Sequence, residues 1–189
     1  RGGVVDSFRS DLEILSRLDS AIRRLMAQKK VLEWAVGEVK GLSGPILELG
    51  LGNGRTYDHL REIFPNRDIK VFERAVAAHP DCVPPEEHLF RGDFLDSLPR
   101  AVAQLGPVGV LAHLDIGTGV KVDSTSLAER IAPLVADLLA PGALVVSDQE
   151  ISAWSECQFV TPELIPAGRI HVYRPVPRRD PRVPKQMLN

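Results

Sequence analysis

Leu12, Leu15, Leu18, Ile22 and Leu25 recur at steps of three and four residues, the spacing of one apolar face of an amphipathic helix. Val31, Leu32, Trp34, Ala35 and Val39 extend the pattern, as the same helix or as a second one. Gly41 to Gly44 break it, and Pro45 leads into an apolar strand carrying one acid, Ile46-Leu47-Glu48-Leu49. A helical stretch after Gly54 runs to Phe64 and stops at Pro65. The next strand, Ile69-Lys70-Val71-Phe72, ends in Glu73, and Pro80 to Pro85 stand where a long helix would follow. A short strand is expected near His88 to Phe90 and a helix over Leu95 to Leu105. Gly109 to Asp115 is a nearly unbroken apolar run, as in a parallel strand buried on both faces. Ser126-Leu127-Ala128-Glu129 has the form of a capping box. Leu127, Ile131, Leu134 and Leu138 give the buried face of the helix it opens, with a kink expected at Pro133. Ala143 to Ser147 read as a fifth strand, and Phe159-Val160 with Ile170 to Tyr173 as a hairpin.

This alternation predicts a doubly wound α/β sheet. Residues 1–44 read as a helical extension packed on the core, 45–174 as the core domain and 175–189 as a tail. Four prolines and four basic residues make that tail a solvated, extended segment. A chain of 189 residues suffices for one domain with one core.

The turn Gly50-Leu51-Gly52-Asn53-Gly54 separates the first strand from the helix behind it. Glycine reaches positive φ cheaply and lets a ligand approach the main chain. The helix start adds unpaired N–H groups. A dinucleotide site spaces its glycines G-x-G-x-x-G and seats a pyrophosphate on that helix end. Here the spacing is G-x-G-x-G, with Glu48 two residues ahead. A carboxylate repels a pyrophosphate and attracts an amino group or a sulfonium.

Glu48-Leu-Gly50-Leu-Gly52-Asn-Gly54 resembles the first motif of class I S-adenosylmethionine (SAM) methyltransferases. Glu73, Gly92-Asp93-Phe94, Leu114-Asp115 and the run from Leu139 to Val146 resemble that superfamily's later motifs, in order. The wording around them, Gly-Asn-Gly-Arg-Thr-Tyr-Asp-His and Ala78-His79-Pro80, is similar to a small bacterial group that supplies no substrate. The resemblance implies the Rossmann-like methyltransferase fold, with a mostly parallel seven-stranded sheet, an N-terminal helical cap and a reduced C-terminal region. It implies SAM as methyl donor and S-adenosylhomocysteine as product. Glu48, Gly50, Leu51, Gly52, Asn53 and Gly54 would form the SAM pocket, with Glu73 on the ribose and Arg74 beside it. Asp93 and Phe94 would lie at the adenine, and Asp115 near the sulfonium.

Asp115 is also the first candidate for catalysis; its plainer role is to bond the backbone of Gly117-Thr118-Gly119. His113 shares a strand face with Asp115 and is the candidate base, against the plainer reading of a buried, satisfied histidine. Asp115 with Asp148-Gln149 resembles the ligand set of catechol-type O-methyltransferases, whose oxygens suit Mg²⁺. Gln stands where Asn is usual, which leaves magnesium the minor reading. Arg24 and Gln28 lie on the N-terminal helix, which the resemblance implies can fold over the methionine end of SAM, against the plainer reading of surface packing; His59 and His79 read as polar packing or surface residues, and Trp154 as a pocket wall or core contact.

A net charge of −2 provides no basic field to gather nucleic acid or an anionic membrane. The fourth strand is followed by Asp115-Ile-Gly-Thr, unlike the Pro-Pro-aromatic signature of amino-methylating DNA enzymes. No apolar run approaches a membrane span and no apolar signal core begins the sequence. Cys82 and Cys157 form no framework or metal spacing, so a reducing cytoplasm is expected. The expectation is a SAM-dependent methyltransferase working by in-line displacement on a small-molecule acceptor. Neither nucleic acid nor membrane is an expected partner, and the thin C-terminal cap suggests a homo-oligomer. The alternatives are a SAM-binding protein without catalysis and an NAD(P)-dependent oxidoreductase.

Overall fold

A computed structural model describes residues 16–159, 165 and 168–176. Ser16 caps the first helix, α1 (Arg17–Glu38), by accepting from the Asp19 N–H at 3.0 Å. It is one continuous helix rather than two. Its second half docks, with Val31, Leu32, Ala35 and Val39 fully buried, at roughly 1.5–3 kcal/mol per large apolar side chain. The first half does not follow the expected stripe: Leu18 is 69% exposed, Ile22 45% and Met26 52%. That half meets the sheet's carboxyl edge through Arg24 rather than through an apolar face. Leu12 and Leu15 lie outside the described residues.

The strands β1 (Ile46–Leu49), β2 (Ile69–Glu73), β3 (Leu89–Arg91), β4 (Gly109–Leu114) and β5 (Leu139–Ser147) are parallel neighbours. β6 (His171–Tyr173) runs antiparallel on β5. The order is β3-β2-β1-β4-β5-β6. Six strands therefore stand among the described residues, where seven were expected. The first arm of the expected hairpin is reduced to a bridge at Gln158 and the Phe159 N–H donating to Val172 O at 2.7 Å. Val160 and residues 177–189 lie outside the described residues.

The sheet separates two cores. Leu47, Leu49, Ala112 and Leu114 face the helices α3 (Phe94–Leu105) and α4 (Lys121–Ala136). Ile46, Val71 and Leu111 face α1 and α2 (Arg55–Ile63). Strand order reverses between β1 and β4, so a crevice for ligands is expected outside their carboxyl ends.

The expected capping box is not formed. α4 begins at Lys121, which places Ser126 inside the helix rather than at its cap. Glu129 then has no cap to close, and its carboxylate instead accepts the N–H groups of Ser152 and Ala153, opening the 3₁₀ turn Ser152–Cys157. The helix runs on past Pro133 to Ala136.

Candidate active site

The glycine turn leaves β1 at Gly50, where φ is 91°. A Cβ there would overlap the Asp115 carbonyl oxygen, so the close approach of β1 and β4 requires glycine. Gly52 differs: its φ is 51°, and a Cβ would meet nothing within 4 Å. This side of the turn is open, and Gly52 and Asn53 are exposed. Leu51 contributes main chain only, since its side chain is buried among the α1–α2 core. Glu73 ties the turn down. Its Oε2 accepts the Leu51 N–H at 2.9 Å and the Gly52 N–H at 3.4 Å, while Oε1 accepts Ala75 N–H at 3.0 Å. Gly54 caps α2, and the His79 N–H donates to Asn53 O at 3.1 Å.

Arg74, next in chain to Glu73, and Asp93 are both exposed. Asp93 caps α3, with Oδ1 accepting the Leu95 N–H at 3.0 Å. Phe94 is half-buried against the α3–α4 core.

Beneath the turn lies a polar floor. Glu48 is fully buried. Thr56 Oγ1 donates to its Oε1 at 2.5 Å, and His113 Nδ1 donates to its Oε2 at 2.7 Å. β1–β4 register sets this up by pairing Glu48 with His113. Burial pushes the His113 pKa down, but the charge of Glu48 and its hydrogen bond outweigh it, and Asp115 and Asp148 add to the upward shift. His113 Nε2 is buried with no partner among the described residues.

The ends of β4 and β5 carry the other half of the site. Asp115 is 29% exposed, with Oδ2 at 3.7 Å from Arg24 Nη1. It does not bond the turn that follows it. Asp148 does, accepting the Ile116 N–H at 3.2 Å and the Gly117 N–H at 3.0 Å. Burial raises the Asp148 pKa and the Asp115 charge adds to that; Gln149, which donates its amide N–H at 3.0 Å, opposes it. Asp148 is thus surrounded by donors, and Gln149 turns its nitrogen toward it. This donor set does not fit a cation held by Asp115, Asp148 and Gln149. Among the described residues no group of three or more His, Cys, Asp or Glu is placed to hold a metal.

The family described as S-adenosyl-L-methionine methyltransferase matches residues 15–175. The chain belongs to that family. An S-adenosyl-L-methionine methyltransferase from Silicibacter pomeroyi DSS-3 is 42% identical, with 85% of this chain and 98% of that one covered and a TM-score of 0.78. The fold is shared more distantly with CalS11, a TDP-rhamnose 3′-O-methyltransferase of calicheamicin biosynthesis, at 18% identity, 80% coverage of each chain and TM-score 0.54. It is shared also with a Plasmodium falciparum protein provisionally assigned as a ribosomal RNA methyltransferase, at 14% identity, 81% and 98% coverage and TM-score 0.55. No protein of curated function matches.

This methyltransferase uses SAM as its donor, and membership sets the oxidoreductase alternative aside. The residues fit an adenosyl ligand: an open glycine turn, a strand-end carboxylate able to accept hydroxyl protons, and no pyrophosphate-binding spacing. Thr56 was not singled out in the sequence, although its place two residues past Gly54 puts it in the first helical turn over the strand. His171 was also missed. It opens antiparallel β6 and pairs with Ser147, so it returns to the carboxyl edge half-buried. Burial lowers its pKa, against the charges of Glu150 and Asp148 and with that of Lys121. Gln28, expected in surface packing, is buried.

Proposed function

We propose that this methyltransferase acts on a small-molecule acceptor, with residues 45–174 as the catalytic domain and 1–44 as a helical extension of it. The observation that carries the site reading is the clasp of Glu73 on the Leu51 and Gly52 N–H groups. It leaves carboxylate lone pairs at the open face of the turn, where ribose hydroxyls donate. Gly50 to Gly54 let the ligand lie against main chain. Asp93 and Phe94 supply the adenine side, with Arg74 at its rim. Asp115 stands next to the transferring group.

SAM supplies a methyl group already activated on a sulfonium. The chain's part is alignment and exclusion of water, which can contribute on the order of 7–11 kcal/mol. Glu48 acts through the turn rather than on the ligand, because Thr56 and His113 occupy its oxygens. His113 is assigned to the same support. Its burial and its bond to Glu48 favour holding β1 and β4 in place over taking a proton from an acceptor.

The small net charge supports a small acceptor over nucleic acid. Cys82 and Cys157 are both free thiols, in keeping with a reducing cytoplasm. No described helix is long and apolar enough to cross a membrane. Exposed Leu18, Ile22 and Met26 support a homo-oligomer, which a monomeric mass in solution would refute.

The test is release of S-adenosylhomocysteine from SAM across a panel of small alcohols, amines, carboxylates and thiols, with total RNA and protein extracts as controls. Acceptor-dependent release with a small molecule is expected; release only with RNA or protein would reverse the assignment.

A further inference from the structure

His113, the base expected from the sequence, is buried and committed to Glu48. A second histidine, His171, reaches the carboxyl edge of β5. β6 runs antiparallel on β5, so its first residue pairs with Ser147, one residue before Asp148. Side chains alternate along a strand, which sets His171 on the same face as Tyr173, a member of the α3–α4 core. The two rings lie 12° from parallel, with centroids 6.5 Å apart. Tyr173 is fully buried, and its hydroxyl oxygen accepts the Ile151 N–H at 2.9 Å. The half-buried imidazole thus rests on a fixed ring. Neither of its nitrogens has a hydrogen-bond or ion-pair partner among the described residues. The charged groups facing it are Asp148 and Glu150 after β5 and Lys121 at the start of α4. Burial, with Lys121, outweighs the two carboxylates and holds the ring below its ordinary pKa, so it is neutral and free to take a proton at neutral pH. Asp148 joins it to the other half of the edge, accepting the Ile116 and Gly117 N–H groups of the turn that follows Asp115.

We infer that His171 takes the proton from the acceptor atom that receives the methyl group. The inference rests on the proposed transfer at this edge and adds the class of acceptor to it. The attacking atom carries a proton, as in a hydroxyl, a thiol or an ammonium. That atom's bond to hydrogen breaks, and the proton passes to a ring nitrogen of His171. The electron pair left behind forms the new bond to the methyl carbon. The carbon–sulfur bond breaks with its pair on sulfur, giving S-adenosylhomocysteine, and the imidazolium releases its proton to water. A base so placed contributes roughly 10²–10⁴-fold. Val120 and Val122, exposed on either side of Lys121, offer an apolar rest for the body of such an acceptor.

Two readouts test the placement of the ring and its role. The first is nuclear magnetic resonance titration of the His171 ring in the wild type. The sulfonium of bound SAM disfavours a nearby imidazolium, whereas S-adenosylhomocysteine has no charge on sulfur. The His171 pKa is therefore expected to be lower by about 0.5 or more in the SAM complex. Equal values in the two complexes would overturn the inference and leave the glycine-turn pocket standing. Failure of both ligands to bind would overturn the pocket and the inference with it. The second readout is S-adenosylhomocysteine release with phenol, benzylamine, benzyl mercaptan and phenylacetate, in wild type and His171→Gln. The first three carry a proton on the attacking atom at neutral pH; phenylacetate does not. Transfer to the proton-bearing probes should fall by about a hundredfold or more in the variant, with the acid limb of the kcat/KM profile lost. Transfer to phenylacetate should stay within about twofold. Equal rates in a folded variant, or transfer confined to phenylacetate, would overturn the role. Release with none of the four would overturn it together with the small-molecule acceptor.

Discussion

Glu73 ends β2 and Asp148 follows β5, and each carboxylate gathers the N–H groups of the loop after a neighbouring strand. Glu73 holds the turn from β1; Asp148 holds the turn from β4. Their surroundings differ. Glu73 is only half-buried and sits at the open face of its turn, whereas burial and the charge of Asp115 push the Asp148 carboxyl upward in pKa. One acid shapes a surface for a ligand. The other is consumed in holding the protein together. The clasp of the β1–β2 half lies within one stretch, Leu51 to Ala75, and only its floor borrows a residue, His113, from β4. The β4–β5 half draws on α1, two strand ends and β6, which lie far apart in the chain.

If the first half depends on its polar floor, removing Glu48 should have the largest effect. Glu48→Ala leaves His113 buried without its partner, and we expect a loss of about 3–5 kcal/mol in urea unfolding. Replacing both residues, Glu48→Leu with His113→Leu, should recover most of it. A loss below about 1 kcal/mol for the single variant would mean that the floor does not support the turn.

Gly52→Ala probes the open face next. The new Cβ meets no protein atom, so the fold should lose only the cost of the left-handed backbone, about 1–2 kcal/mol. Affinity for S-adenosylhomocysteine should fall by roughly tenfold or more, because the methyl group enters the ligand's side. Unchanged affinity would place the ligand elsewhere.

A smaller effect is expected from pH. The folded pKa of His113 is raised above its ordinary value. Its contribution is then complete below the unfolded pKa of about 6.5 and is lost as pH rises through the higher folded value. The stability advantage of wild type over His113→Gln should therefore shrink in urea midpoints as pH rises above about 6.5. A constant advantage would show that the ring is not protonated in the fold.

The smallest effect tests the second half. Magnesium should change neither the melting temperature nor the affinity for S-adenosylhomocysteine, since the Asp148 oxygens already accept N–H groups. A magnesium-dependent rise in melting temperature that Asp148→Asn abolishes would restore a metal site.

The contrast also explains what could be read from the chain. A tight turn against a neighbouring strand demands glycine at Gly50, and a strand-end acid at a fixed distance follows from the βαβ unit, so Glu73 was legible. Apolar runs likewise located β1, β2 and β4. The burial of Gln28 was not legible, because nothing in the spacing of α1 says which half of the helix docks. The capping pattern at Ser126 misled, since a local motif cannot register that the helix had already begun at Lys121. His171 escaped notice because an antiparallel strand brings it to the carboxyl edge only after the chain has folded.

The most direct measurement is calorimetric titration of wild type and Glu73→Ala with S-adenosylhomocysteine, with circular dichroism confirming that both are folded. The structure predicts one site in the wild type and a loss of roughly ten- to a hundredfold in the variant. Full affinity in a folded Glu73→Ala protein would contradict the assignment of the ribose to this strand end, and with it the placement of the whole cofactor along the glycine turn.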